Sequence, residues 1–156
     1  MKNIKIFFVL FAILIISCDN LSRKPDSLET LICEKLKTEN IGNSLIFYIS
    51  EGMCSSCIDA EIQNLKNNDK MMDQLVVVGF FSSKRHFRAC ANSISHLKPI
   101  KKIFINILET DSSILKESPF YFLYHQESNS YSNYFQPQPC NSDLTAEYFE
   151  LIEAIL

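Results

Sequence analysis

The chain has no tryptophan, and only 3 glycines and 3 histidines among its 156 residues. No glycine-rich phosphate loop can be found in it, and His86, His96 and His125 stand apart rather than at metal-ligand spacing. No basic run exists; lysines and arginines are scattered, so the footprint of nucleic-acid binding is missing. No Ser-His-Asp arrangement, paired-carboxylate motif, internal repeat or low-complexity tract stands out. Long apolar runs are also scarce: the longest, residues 6–16, lies at the start of the chain. Cysteine is the exception to this poverty, with 6 residues at positions 18, 33, 54, 57, 90 and 140.

The first seventeen residues read as a targeting segment. Lys2 and Lys5 make a basic start, and the apolar run that follows has the length of a signal-peptide core. It is short of the roughly 20 residues needed to cross a bilayer. Ile15-Ile16-Ser17-Cys18 resembles a bacterial lipobox, in which the signal is cut before a cysteine that is then lipidated. The competing reading is an ordinary secretory signal with a chance cysteine. Residues 1–17 are therefore expected to be a lipoprotein signal, and 18–26 the lipidated Cys18 with a polar tether. Fully extended, that tether reaches only about 30 Å, at roughly 3.3–3.6 Å per residue. Residues 27–156 suit one domain with one core. The location implied is the bacterial cell envelope, lipid-anchored outside the cytoplasm on the periplasmic side of one membrane. Disulfides persist in such a compartment. Without Cys18 the mature chain holds an odd number of cysteines, so at least one thiol stays unpaired when the others pair.

Within the domain, Ser27 can cap a helix over 27–38, with Leu28, Leu31, Ile32 and Leu36 at helical spacing. Residues 40–43 form a turn. Leu45 to Ser50 is a continuous apolar run suited to a strand buried on both faces. An amphipathic segment follows, with Ile58, Ile62 and Leu65 on one face, and Leu75 to Phe81 is a second buried strand. Ser82 or Ser83 can cap a third helix whose inner face is Phe87, Cys90 or Ala91, Ile94 and Leu97, with Pro99 as its stop. Lys102 to Leu108 reads as a partly exposed strand. Residues 120–125 and 131–135 form a hairpin. A last helix begins near Asp143 and turns Leu144, Tyr148, Leu151, Ile152 and Ile155 inward. Strands alternating with helices imply an α/β fold. Its parallel sheet is completed by an antiparallel hairpin, so the central sheet is mixed and flanked by helices in three layers.

At the junction between the first strand and the second helix stands Cys54-Ser55-Ser56-Cys57. A thiol at a helix N-terminus faces unsatisfied backbone N–H groups and the positive end of the helix dipole, which stabilise its thiolate. The second cysteine lies one turn on and can close a disulfide in the same loop. The pair could instead form a structural disulfide, although so small a ring contributes little chain-entropy stabilisation. It could also supply two soft ligands to a metal, with a histidine such as His125 completing the set.

This order of elements, with C-x-x-C at its strand-to-helix junction and Ser118-Pro119 before the hairpin, resembles the thioredoxin fold over essentially the whole of 27–156. The nearest likeness is to membrane-tethered bacterial thiol–disulfide oxidoreductases, which carry an extra strand-helix unit before the proline. The resemblance implies that Cys54 attacks, that Cys57 resolves, and that Pro119 is a cis-proline facing the disulfide. Ser118 and Pro119 would then shape the client groove. It also implies protein thiol or disulfide clients, an electron-exchange partner and no added cofactor, with the reductive direction favoured.

Three positions depart from the family pattern. Met53 stands where tryptophan usually precedes the first cysteine. Ser55 and Ser56 lie between the cysteines, without a proline. Tyr48 occupies the place of a buried acid; a phenol with a free pKa near about 10 is a poor base at neutral pH. Glu51 is the acid expected to substitute for it or to raise the Cys54 pKa by repulsion. These departures keep alive a non-catalytic thioredoxin-like binding lipoprotein, and behind it a copper-handling module. Cys33, Cys90 and Cys140 read as small buried residues or members of a structural disulfide.

Overall fold

The computed structural model describes residues 27–94, 97–138 and 141–156. The expectations for the signal segment, Cys18, the tether, His96 and Cys140 fall outside those residues. In chain order the elements are α1 (Leu28–Thr38), β1 (Ser44–Ser50), α2 (Ser55–Asn67), β2 (Leu75–Phe81), α3 (Lys84–Ser93), β3 (Lys101–Asn106), β4 (Phe120–His125), β5 (Ser130–Phe135) and α4 (Ser142–Glu153). Short 3-10 turns occupy Asp69–Gln74, Ile107–Glu109 and Ser112–Ile114.

The strands form one five-stranded sheet in the order β3-β2-β1-β4-β5. β1, β2 and β3 run parallel, while β4 is antiparallel to β1 and β5 to β4. The fold is thus α/β, with a mixed central sheet flanked by helices in the three-layer arrangement of thioredoxin-like proteins. Both parallel crossovers step toward the same edge, and connections of one hand then put α2 and α3 on the same face. There they share a core with α4, built on Leu45, Phe47, Ile49, Val77, Tyr121 and Leu123 from the sheet. The opposite face is covered by α1 through Leu28, Ile32, Cys33 and Leu36, with Ile114 and Leu115 packed beside it. Every residue of β1 and β2 is buried, as the unbroken apolar runs require.

The caps follow the sequence. The Ser27 hydroxyl accepts from the Thr30 N–H at 3.2 Å, and Ser83, rather than Ser82, caps α3 by accepting from His86 at 3.2 Å. Gly79 has a packing reason: a Cβ there would lie 2.3 Å from the Phe87 ring, so its absence lets α3 press onto β2.

Two expectations are corrected. The third strand is Lys101–Asn106, because the chain coils into a 3-10 turn at Ile107–Glu109, leaving Leu108 78% exposed. On α4 the buried residues are Thr145, Tyr148, Phe149 and Ile152, whereas Leu144, Leu151 and Ile155 face out. The ring of Tyr148 stacks on Phe135 at 4.6 Å and that of Phe149 meets Tyr121 edge-on at 5.2 Å. These aromatic contacts set the rotation of α4 and turn its aliphatic stripe away from the sheet.

After β3 the chain must return past β1 to start β4, and it does so at the C-terminal end of the parallel strands. Residues 107–119 make that return. They carry Ser118-Pro119 to the same end of the sheet as the start of α2.

Candidate functional site: two thiols and a buried carboxyl at the head of α2

β1 ends at Ser50, and the turn Glu51-Gly52-Met53 leads to Cys54, which occupies the N-cap position of α2 without a side-chain capping bond. Gly52 has φ +93, a conformation that L side chains rarely adopt, so a glycine is needed to aim the chain into the helix. Met53 is held within this turn, its sulfur accepting from the Ser50 N–H at 3.2 Å.

Cys54 is exposed and Cys57 half-buried, and both are reduced. The Cys54 sulfur lies 2.8 Å from the Ser56 hydroxyl. That hydroxyl, then the backbone N–H of Cys57, the Cys57 thiol and the backbone N–H of Ser56, draw the Cys54 pKa down to about 7. Cys57 is pushed the other way, first because its thiol donates to Cys54, then by burial and by the charges of Cys54 and Glu61. One loop therefore holds a thiol that ionises near neutrality beside one that keeps its proton. An attacking thiol with a pKa near ambient pH is close to the optimum for exchange.

Glu61 lies one turn beyond Cys57 on the inner side of α2 and is only 6% exposed. The Tyr121 hydroxyl donates to one carboxylate oxygen at 3.0 Å, and the Asn64 amide donates to the other at 3.1 Å. Burial raises its pKa, against the lowering effect of those two bonds. Cys57, Glu61, Ser118, Pro119, Pro137 and Asn141 are among the residues lining one cavity of about 240 Å3. Sequence reasoning missed Glu61. The signal was present: it lies within the apolar stripe of Ile58, Ile62 and Leu65, where an acid must be hydrogen-bonded or protonated.

Ser118 and Pro119 thus border the same cavity as Cys57. The cis bond is not there. No peptide bond among the described residues is cis, so Ser118–Pro119 is trans. Trans is the intrinsic preference of an X–Pro bond by about 0.5–1 kcal/mol, and no neighbouring anchor overrides it. The anchors sit just upstream, where Ser50 and Tyr48 donate to the Lys116 carbonyl, each at 3.3 Å, and the Lys116 N–H donates back to the Tyr48 oxygen at 3.4 Å.

Tyr48 is consequently a clamp for the return segment. It is fully buried, its ring stacks on Phe120 at 4.3 Å, and burial raises its pKa further. The Lys116 ammonium pairs with the buried Glu29 of α1 at 2.9 Å and lies 4.9 Å from the centre of the Tyr134 ring. Glu51 also has work away from Cys54. Its carboxylate accepts from the Ser82 N–H at 2.6 Å and meets His86 Nδ1 at 2.8 Å. Bonds from the Ser82 side chain and backbone, and then from His86, hold its pKa down at about 2. It does not figure among the groups that set the Cys54 pKa.

The remaining thiols differ. Cys33 is buried in the α1 core, and burial followed by the charges of Glu29 and Glu34 pushes it up to about 11. Cys90 is half-buried and raised by burial and then Asp59. Among the described residues no group of three His, Cys, Asp or Glu side chains could hold a metal ion. His125 instead has Nε2 2.7 Å from the Ser132 hydroxyl across the hairpin. No known protein family matches the chain, and no curated protein matches it either.

Proposed function

We propose that the protein is a thiol–disulfide oxidoreductase of thioredoxin-like type, working outside the cytoplasm from a lipid anchor at Cys18. The observation that carries the reading is the placement of two thiols at the head of α2, Cys54 exposed at the N-cap position and Cys57 half-buried one turn on, with the Cys54 thiol drawn down and the Cys57 thiol pushed up. A structural disulfide needs no such asymmetry.

In the reductive direction the Cys54 thiolate attacks a client disulfide, forming a Cys54–client bond and releasing one client thiolate. Cys57 then gives up its proton, and its sulfur attacks Cys54. The Cys54–Cys57 disulfide forms and the second client sulfur leaves as a thiol once it is protonated. Two electrons pass from the dithiol to the client. Glu61, in the same cavity as Cys57 and tethered by Tyr121 and Asn64, is placed to accept the Cys57 proton. Ser118 and Pro119 border the cavity that an approaching client chain would occupy.

Cys57→Ser should trap clients through Cys54 as mixed disulfides, and Cys54→Ser should trap none. Absence of trapping by Cys57→Ser, with both thiols equally reactive, would replace this reading by a non-catalytic binding lipoprotein. The anchor is tested separately. Cys18→Ala should abolish lipid attachment, and an unlipidated mature form from the unaltered sequence would rule the anchor out.

A further inference from the structure

Between Asp73 and Glu109 the chain contains no acidic residue, yet it carries Lys84, Arg85, Arg88, Lys98, Lys101 and Lys102 in a protein of net charge −3. The fold gathers these positions on α3, on β3 and in the turn between them, at one edge of the sheet. Lys84, Arg85, Arg88 and Lys98 are exposed, and none of them takes part in an ion pair among the described residues. By contrast, Lys101 is paired with Glu39 at 2.8 Å, and the Lys102 ammonium donates to the Ala91 carbonyl at 3.0 Å.

A shallow cleft of about 330 Å3 runs between α3 and β3. Its floor is the Phe87 and Phe104 rings with Ala91, and Lys84, Arg88 and Lys102 stand among its walls. A second cavity, lined in part by Gly52, Met53, Ser55, His86 and Cys90, joins the start of α3 to the C-x-x-C turn. Glu51, paired with His86, and Asp59 also line that cavity, so the cationic surface stops at the start of α3, beside the turn that carries Cys54.

We propose that this edge docks an acidic segment of the client polypeptide, with an apolar side chain seated on the Phe87–Phe104 floor. The inference rests on the oxidoreductase reading and names the partner class of that same site. The cations are strung along α3, about 1.5 Å per residue, and along the turn before β3. A flat anionic bilayer suits the face less well. α4 packs on the same side of the sheet and exposes Asp143, Glu147, Glu150 and Glu153. A narrow chain can follow α3 and avoid them. Segregated charge of this kind raises encounter rates with partners of opposite sign, by about 10-fold to 10³-fold.

The test uses the full chain in non-ionic detergent and three disulfide probes. Two are peptides of matched length and hydrophobicity, one with aspartates and one with lysines around its disulfide; the third is neutral hydroxyethyl disulfide. The expected result is exchange at least about tenfold faster with the acidic peptide at low salt, with the advantage shrinking as salt rises. In Arg85→Glu/Arg88→Glu the preference should invert. An acidic peptide without cysteine should also bind Cys54→Ser/Cys57→Ser protein, and bind it less well once those arginines are reversed. Equal rates for both peptides, with hydroxyethyl disulfide still reduced, would overturn the docking edge and leave the oxidoreductase intact. Failure with all three probes would overturn the redox reading, and peptide binding would then decide the edge by itself. Salt-sensitive attachment to phosphatidylglycerol vesicles, with no response to the acidic peptide, would overturn it in favour of a bilayer.

Discussion

Glu61 stands one turn after Cys57 on α2, and the two side chains share a cavity while Tyr121 holds the carboxylate from beneath. The carboxyl is thus fixed by the core of the sheet and borders the thiol that, in the proposed reaction, gives up its proton. Its raised pKa has a consequence for stability as well as for chemistry. An acid whose pKa is higher folded than unfolded favours the fold at low pH, and that advantage is lost as pH rises through the folded value.

Glu61→Gln should accordingly leave the protein as stable or more stable at pH 8, since Gln can still accept from Tyr121. Resolution of the mixed disulfide should slow by about 10²-fold, the lower end of what a positioned acid–base group supplies. The alkylation rate of Cys54 should stay as it is. Stopped-flow exchange beside a denaturant melt separates the two effects. A variant that resolves at the normal rate would remove Glu61 from the proton path.

The two thiols should titrate apart. Alkylation of Cys54 by iodoacetamide should rise with pH, pass its midpoint near about 7 and then level off. Cys57 should react only above the range of an ordinary cysteine, because Cys54, burial and Glu61 all disfavour its thiolate. Ser56→Ala removes the foremost group lowering the Cys54 pKa and should move that midpoint upward. Mass spectrometry of singly modified protein reads both sites.

Much of this architecture was legible because the strands announce themselves. Residues 45–49 and 75–81 carry no polar side chain beyond the Tyr48 hydroxyl, which only a strand covered on both faces tolerates, and Ser27 and Ser83 mark helix starts. The position of the cysteine pair at the head of a helix was legible for the same reason, since C-x-x-C follows closely on the first of those strands, whereas a place for Ser118-Pro119 near it came only from the family resemblance. What stayed hidden depends on contacts distant in sequence. Tyr48 was legible as a poor base, but not as a clamp, because the Lys116 backbone that its hydroxyl bonds lies 68 residues away. Glu51 looked close to Cys54, but its partners are Ser82 and His86 on the next crossover. The rotation of α4 depended on Phe135 and Tyr121, which no helical period can foresee. The trans bond before Pro119 was equally out of reach, because a dipeptide leaves both isomers open.

Glu29 should reveal itself in acid. Burial opposes its ionisation, but Lys116 and its own backbone N–H outweigh that and leave its pKa lowered. A carboxylate lowered on folding contributes stability that is complete above its unfolded value, about 4.3, and disappears as pH falls through the folded one. Glu29→Gln should therefore cost on the order of 1 kcal/mol at pH 7, and the gap from the parent should close in strong acid. Urea melts at a series of pH values would show it. A pH-independent gap would mean that packing, not the Lys116 pair, is responsible.

Gly79→Ala should destabilise by about 1–3 kcal/mol, as overpacking does in a filled core. The added carbon would meet the Phe87 ring, which is hemmed in by Phe81 and Phe104 at 5.6 and 6.0 Å. Phe87→Leu in the same chain should recover part of the loss. A neutral Gly79→Ala would mean that α3 slides freely over β2.

β1 is hydrogen-bonded on one side by β2 and on the other by β4, and no residue of it reaches solvent. Its amides should be among the last in the domain to exchange with deuterium, since they open only when the sheet itself comes apart. The exposed thiol sits four residues past the end of this strand. Its position is thus inherited from the most enclosed strand of the sheet, so on the proposed oxidoreductase reading an approaching client would meet a sulfur whose place is set by the core.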